Sequence, residues 1–283
     1  MTSALEENTL LQDTQFGARK HRSPSSALAL ITEVTHTVWK TDPQLIVSVL
    51  NLDLSAAFDN VSQPRLLEAI LKKGLPFWMQ NFIQGFLTQR KTCLQFDGAT
   101  GPEITTQTGI PQGSPLSPIL FLLFSSGLLE QTKSENNTHL SLGFMDDTTL
   151  MVWGHTAAGN CRKLEGVQEI CQAWARKSGA VFNPEKYELI HLTCRHKVNL
   201  SAPLHIQGFS GEAVPELRIL GVQVDSKLKW GKHIQNLETN KGLERAFPPA
   251  SPSALEATEL GFDGDVVGRR VYGLPAMAPQ GCD

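Results

Sequence analysis

Leu45-Ile46-Val47-Ser48-Val49-Leu50-Asn51-Leu52-Asp53 is a β-branched, nearly unbroken apolar run that ends in a carboxylate. Such a run reads as a buried central strand, its C-terminal end reaching an edge or a cleft. Asp53 therefore stands where sites are commonly built. Downstream, Leu140 to Met145 and Thr148 to Val152 are two further strand-like runs separated by acids, so the spacing predicts a hairpin with Asp146 and Asp147 at its tip. An acid pair in a turn is by itself ordinary turn chemistry. A third acid ending a buried strand changes that: the three carboxylates can meet at one sheet edge, where their repulsion calls for cations. Oxygen-only ligands of this kind suit Mg²⁺ or Mn²⁺.

Around these strands the periodicity predicts helices. Ser23-Pro24 has the form of a helix start, followed by Ala27 to Ile31 at near-helical spacing. Helical patterns cover Pro64 to Lys73 and Pro76 to Gln89, the second carrying Phe77, Trp78, Phe82, Ile83 and Phe86, with Gly74 between them. Asp97-Gly98 is a turn signal between short strands at 92–96 and 104–108. A Gly/Pro-rich loop, Gly109 to Pro115, opens an apolar helix over 116–129, and Leu164, Val167, Cys171 and Trp174 mark an amphipathic helix over 160–178 ended by Gly179. A strand at 188–193 and a hairpin from Leu204 to Val224 follow. The order predicts an α+β fold, consistent with a split βαβ sheet covered by helices on one face. Asp59 reads as a local cap for the helix after it.

At 283 residues the chain is long enough to bury a core without disulfides, and 41% hydrophobic with 19% charged residues is ordinary globular composition. Its net charge of −3 disfavours a binder driven by charge alone. The acidic excess lies from Glu244 onward, where six acids face three bases; from Phe247 the Pro/Gly-rich composition is that of a linker or disordered tail. The five cysteines are scattered and include no Cys-x-x-Cys pair, so a reducing compartment is expected, nuclear or cytoplasmic. No signal pattern opens the chain, and its most apolar stretch is too short to span a bilayer, so no membrane partner is expected.

Five segments occur together in order: Leu52-Asp53-Leu54-Ser55-Ala56-Ala57-Phe58-Asp59, Thr108 to Pro118 with Gln112-Gly113, Phe144-Met145-Asp146-Asp147, Gly179 to Lys186, and Leu217-Arg218-Ile219-Leu220-Gly221. With Gln15-Phe16-Gly17-Ala18-Arg19 before them, the chain resembles the reverse transcriptase domain of non-LTR (LINE-type) retrotransposons over about residues 10 to 240. The resemblance implies a right-hand polymerase palm with a ferredoxin-like sheet, partial fingers and little or no thumb. It divides the chain into a partial fingers segment (1–44), a palm with inserted fingers helices (45–243) and a tail (244–283) that is disordered or frame-disrupted, the domain being truncated at both ends. It also implies an RNA-directed DNA polymerase acting on an RNA template, a DNA primer and dNTPs with two Mg²⁺ ions, Mn²⁺ being a substitute.

On that resemblance Asp53 and Asp146 bind both metals, Asp147 assists, and Leu54 contributes its backbone carbonyl. Phe58 is the steric gate against a ribose 2′-hydroxyl. Gln112 and Gly113 line the incoming nucleotide and template, and Arg19 is a substrate contact. Lys186 protonates the pyrophosphate leaving group, and Ile219, Leu220 and Gly221 form the primer grip. Family members usually carry Ala or Val at the position of Met145. Two other readings stand beside the enzyme: a catalytically silent relic that still binds metal or nucleic acid weakly, favoured by the near-neutral charge, and a metal-dependent nuclease or phosphatase using the same carboxylates.

Overall fold

The computed structural model describes residue 5, residues 10–134 and residues 136–236. The expected tail at 244–283 and the expected end of the palm lie outside the described residues. The apolar run forms β1 (Ile46–Asp53), inside a four-stranded sheet of order β6–β7–β1–β8, with β6 His139–Phe144, β7 Asp147–Gly154 and β8 Glu188–Leu192. Every neighbouring pair is antiparallel. It follows that β1 and β6 run parallel with β7 between them, while β7 and β8 run parallel with β1 between them. Each of these crossovers carries helix, as parallel pairs require.

Side chains alternate across a strand, so β1 divides its residues between two cores. Leu50 and Leu52, with Leu150, Val152 and Leu189, face α4 (Ser117–Gln131) and α5 (Ala157–Ser178), behind which stand α2 (Gln63–Lys72) and α3 (Phe77–Leu87). Val47 and Val49, with Leu140, Met151 and Ile190, face α1 (Pro24–Thr41) and a hairpin of β11 (Glu216–Ile219) and β12 (Val222–Asp225). The sheet is thus covered on both faces, not on one as the pattern had implied; a strand enclosed on both sides loses its polar alternation, which is why β1 reads as continuous apolar sequence. The same alternation places Asn51 and Asp53 on the α1 face, beyond the apolar packing.

Local signals behave as their chemistry dictates. Ser23 caps α1, its hydroxyl accepting from Ser26 N–H, and Pro24 takes the first turn. Thr156 caps α5 in the same way, and Gly179 ends it with φ +74°. Three expectations are corrected. Helix α3 buries Met79, Ile83 and Leu87 at four-residue steps, leaving Phe77, Trp78 and Phe82 exposed. Asp97-Gly98, both at positive φ, closes only the inner pair β3 (Gln95–Phe96) and β4 (Ala99–Thr100); the outer pair is β2 (Lys91–Thr92) with β5 (Ile104–Thr105). Residues 204–224 form two hairpins, β9 (Leu204–Ile206) with β10 (Phe209–Gly211) and then β11 with β12, because Gln207-Gly208 and Leu220-Gly221 are two separate X-Gly turns. No described helix is long and apolar enough to cross a membrane.

One further strip extends the sheet. Gln15 makes a parallel bridge with Gly143, Phe16 N–H donating to Gly143 O at 2.8 Å and Gly143 N–H to Thr14 O at 3.0 Å. At Gly17 the obstacle to any side chain is backbone, whereas at Gly143 it is the tip of the Gln15 side chain. A Cβ on Gly143 would stand 2.6 Å from Gln15 Oε1, and one on Gly17 would stand 2.5 Å from Met145 N.

Candidate active site

The register of β1 against β7 sets Asp53 opposite Asp147 as Cα partners. The hairpin tip differs by one residue from the expected one: Phe144 pairs with Asp147, so the two-residue loop is Met145-Asp146 and Asp147 is the first residue of β7. Its first position demands positive φ, which glycine fills readily; here Met145 takes it at +54°, a strain of about 1 kcal/mol. The turn abuts Gly17, so the 14–17 strip braces the loop that carries Asp146.

Lys186 reaches the same end of the sheet through backbone bonds. Asn183 N–H donates to Asp53 O at 2.9 Å and Ser55 N–H to Val181 O at 2.8 Å, hooking 181–183 onto the end of β1. A 3₁₀ turn, Pro184–Lys186, then brings Lys186 Nζ to 3.0 Å from Asp53 Oδ2. The Asp53 side chain is 17% exposed and that of Lys186 62%. Asp53 holds the Lys186 ammonium above its ordinary range, with smaller help from Asp146 and Asp147. The Asp147 carboxyl is raised from 3.8 to about 6. Although the residue as a whole is open to solvent, its carboxyl stands in a recess, and partial loss of water is the largest cause, followed by the charges of Asp146 and Asp53; Lys186 opposes the shift.

Asp53, Asp147 and Lys186 line a cleft of about 440 Å³ together with Arg218, Ile219 and Leu220; Asp146, at the adjoining turn, is outside that lining. Leu220 and Gly221, at φ +48° and +88°, are the turn of the β11–β12 hairpin. Asn51, Thr149, Glu185, Glu188 and Arg218 also line it and were not singled out from sequence. Asn51 and Thr149 were findable: each lies two residues from a site carboxylate on its strand, hence on the same face, and Thr149 Oγ1 donates to Asn51 Oδ1 at 3.0 Å.

Other expected residues lie apart from the cleft lining. The Phe58 ring stacks on Phe121, centroids 5.3 Å apart. Gln112 and Gly113 sit in the 109–115 loop, which is tied to 58–61 by Ile110 N–H to Phe58 O at 2.9 Å and Gly109 N–H to Val61 O at 2.8 Å. Asp59 does not cap α2 as expected; both its oxygens stand 3.0 Å from Gln112 Nε2, and the cap position of α2 is held by Ser62, whose side chain makes no capping bond. Arg19 donates to Gln12 O at 2.7 Å and Gln15 O at 3.2 Å, folding the 12–15 turn. Leu54 bridges Phe182, and the two bonds of that bridge run from its neighbours, leaving the Leu54 carbonyl outside them.

Among the described residues no three acidic, His or Cys side chains are gathered closely enough to cage a metal unaided. Two carboxylates at a cleft, completed by water and substrate phosphates, are nonetheless the usual provision for Mg²⁺. The mutual repulsion registered at Asp147 and the ammonium lodged on Asp53 mark a site that favours positive charge.

The model of the family described as "Reverse transcriptase (RNA-dependent DNA polymerase)" matches residues 1–224. Among curated proteins, the chain is 22% identical over 238 residues to the probable RNA-directed DNA polymerase from transposon BS of Drosophila melanogaster, covering 83% of this chain and 26% of that protein. It is 25% identical over 244 residues to the corresponding protein from transposon X-element of the same organism, covering 84% and 26%. The chain thus spans about a quarter of the length of these relatives. The fold is similar to that of apo telomerase from Candida tropicalis, with a TM-score of 0.56 at 14% identity, covering 80% of this chain and 38% of that one.

Proposed function

The chain belongs to the reverse transcriptase family, and from that premise we propose that its cleft is the active site of an RNA-directed DNA polymerase of a non-LTR retrotransposon, joining a dNTP to a primer 3′-hydroxyl on an RNA template. The observation that carries the reading is the pairing of Asp53 with Asp147 across β1 and β7, with Asp146 at the adjoining turn and Lys186 on Asp53. The strand order β6–β7–β1–β8 supports a split βαβ palm, with residues before β1 as part of the fingers.

Asp53, Asp146 and Asp147 would hold the divalent cations, joined by the Leu54 carbonyl, which the bridge to Phe182 leaves outside its bonds. Two such ions supply an acidified attacking hydroxyl and neutralise charge on the transferring and leaving phosphates. Asp147 carries its negative charge fully only above about pH 6. Lys186 holds its proton on Nζ, beside the carboxylates, where a leaving pyrophosphate oxygen can take it. Phe58, braced by Phe121, presents a fixed ring as the sugar gate. The Ile219-Leu220-Gly221 segment, whose first two residues line the cleft with Asp53 and Asp147, would hold primer, and Arg218 beside it would add a phosphate contact. The free thiols of Cys93, Cys161 and Cys171 suit an intracellular setting.

The test is primer extension on an RNA template with Mg²⁺ or Mn²⁺, comparing the chain with Asp146→Asn. Extension that is lost in the variant is expected. Equal extension in the variant, or none in the unaltered chain, rejects the reading.

A further inference from the structure

The 109–115 loop is fastened to residues 58–61 by backbone bonds and by one pair of side chains. Gln112 Nε2 stands 3.0 Å from both Oδ1 and Oδ2 of Asp59. A carboxylate only accepts, so the amide must give its NH₂ to Asp59 and turn its carbonyl oxygen away. A glutamine with no such partner can rotate by half a turn and exchange donor for acceptor; here that freedom is removed. The loop cannot slide off the pair either. Gly109 has φ +77°, and a Cβ there would stand 2.9 Å from Asp59 O and 3.2 Å from Phe58 O, so the backbones are in direct contact. Asp59 follows Phe58 directly, and among the described residues its carboxylate bonds to Gln112 alone.

Building on the polymerase reading, we propose that Asp59 is a positioning residue that locks the Gln112 amide with its acceptor outward, so that Gln112 meets an N–H or O–H group of a nucleoside and not a phosphate. A carbonyl oxygen attracts a base amino group or a sugar hydroxyl and repels phosphate oxygens. The arrangement also couples Gln112 to the Phe58 backbone, fixing the distance between the sugar gate and the amide that faces the same nucleotide.

Dissecting the pair tests this. Asn at position 59 offers either NH₂ or C=O, so Asp59→Asn releases the lock with little change of shape, while Asp59→Glu keeps it. In primer extension with the dNTP concentration varied, D59N should raise the dNTP KM roughly three- to tenfold, the range of one exposed charge-assisted hydrogen bond, with kcat changed less than about twofold. D59E should recover most of the loss, and D59N should add nothing to Gln112→Ala. An unchanged KM in D59N, or penalties from D59N and Q112A that simply add, overturns the proposal. A chain that extends no primer defeats the polymerase reading instead. The lock is then judged by the side-chain amide resonances of Gln112, assigned by their loss in Q112A: they must differ between the unaltered chain and D59N, and identical resonances overturn it.

Discussion

Lys186 Nζ stands 3.0 Å from Asp53 Oδ2, so the carboxylate best placed for a divalent cation already has an ammonium ion against it. On the proposed reading a cation and Lys186 would compete for Asp53, and a metal bound there would free the lysine. Lys186→Met should leave metal affinity, read by calorimetry, equal to or tighter than that of the unaltered chain. Extension should slow about 100-fold, the scale of one lost general acid. A variant that binds metal more weakly, or extends at the normal rate, contradicts this role.

Asp147 gives the site an acid limit. With its carboxyl raised to about 6, metal binding and extension should decline as pH falls through that value. Stability runs the other way. The folded chain holds this proton more tightly than the unfolded one, so the stabilising contribution is complete below the ordinary value of 3.8 and is lost as pH rises through about 6. Asp147→Asn should accordingly raise the melting temperature at pH 7.5 and leave it unchanged below pH 4. The gain is modest, because the residue is open to solvent. Equal shifts at both pH values would mean that the charge is not the cause.

A second titration works in the opposite sense, inside the core. Asn160 Nδ2 donates to Ser48 Oγ at 2.8 Å, Ser48 Oγ is hydrogen-bonded to His191 Nδ1 at 2.7 Å, and His191 Nε2 is a buried atom with no partner among the described residues. Burial lowers His191 from 6.5 to about 4. The folded state therefore loses ground as pH falls from 6.5 toward 4, by roughly 3 kcal/mol at the bottom of the window. His191→Gln, which keeps an acceptor for Ser48, should flatten that decline in denaturant melts. An unchanged slope would assign the acid sensitivity elsewhere.

The strained turn beside Asp146 can be probed from both sides. Met145→Gly removes the penalty of φ +54° and should stabilise the fold by about 1 kcal/mol. Gly17→Ala forces a methyl against Met145 N, backbone that has nowhere to retreat, and should cost about 1–3 kcal/mol. Combining the two should not restore stability, since the obstructing atom belongs to the main chain. Full recovery in the double variant would place the conflict in the Met145 side chain alone.

The carboxylates were legible because each is attached to a strand whose apolar pattern is strong, and strand parity then fixes which way they face. Lys186 was legible only through family resemblance: its place depends on two backbone bonds between 181–183 and the end of β1, which no local pattern encodes. Glu188 reaches the cleft by pairing with Asn51, far off in sequence, whereas Arg218 stands on a local hairpin opposite Gln223, whose own pattern says nothing of the cleft it borders. The Gln112–Asp59 pair was missed for a similar reason. Asp59 carries a good local explanation as a helix cap, and only the folded loop offers it a better partner. Helix α3 misled by composition, its aromatic residues outweighing the Met79, Ile83 and Leu87 stripe that it buries.

The strip at 14–17 has a kinetic consequence. It is synthesised 128 residues before its partner Gly143, a wait on the order of ten seconds. Until then the strip is single, and when β6 does pair with β7 its outer edge is an open template for any passing strand. That edge of the sheet is thus closed by a long-range contact, slow to form because the chain between Gln15 and Gly143 has first to be looped back on itself.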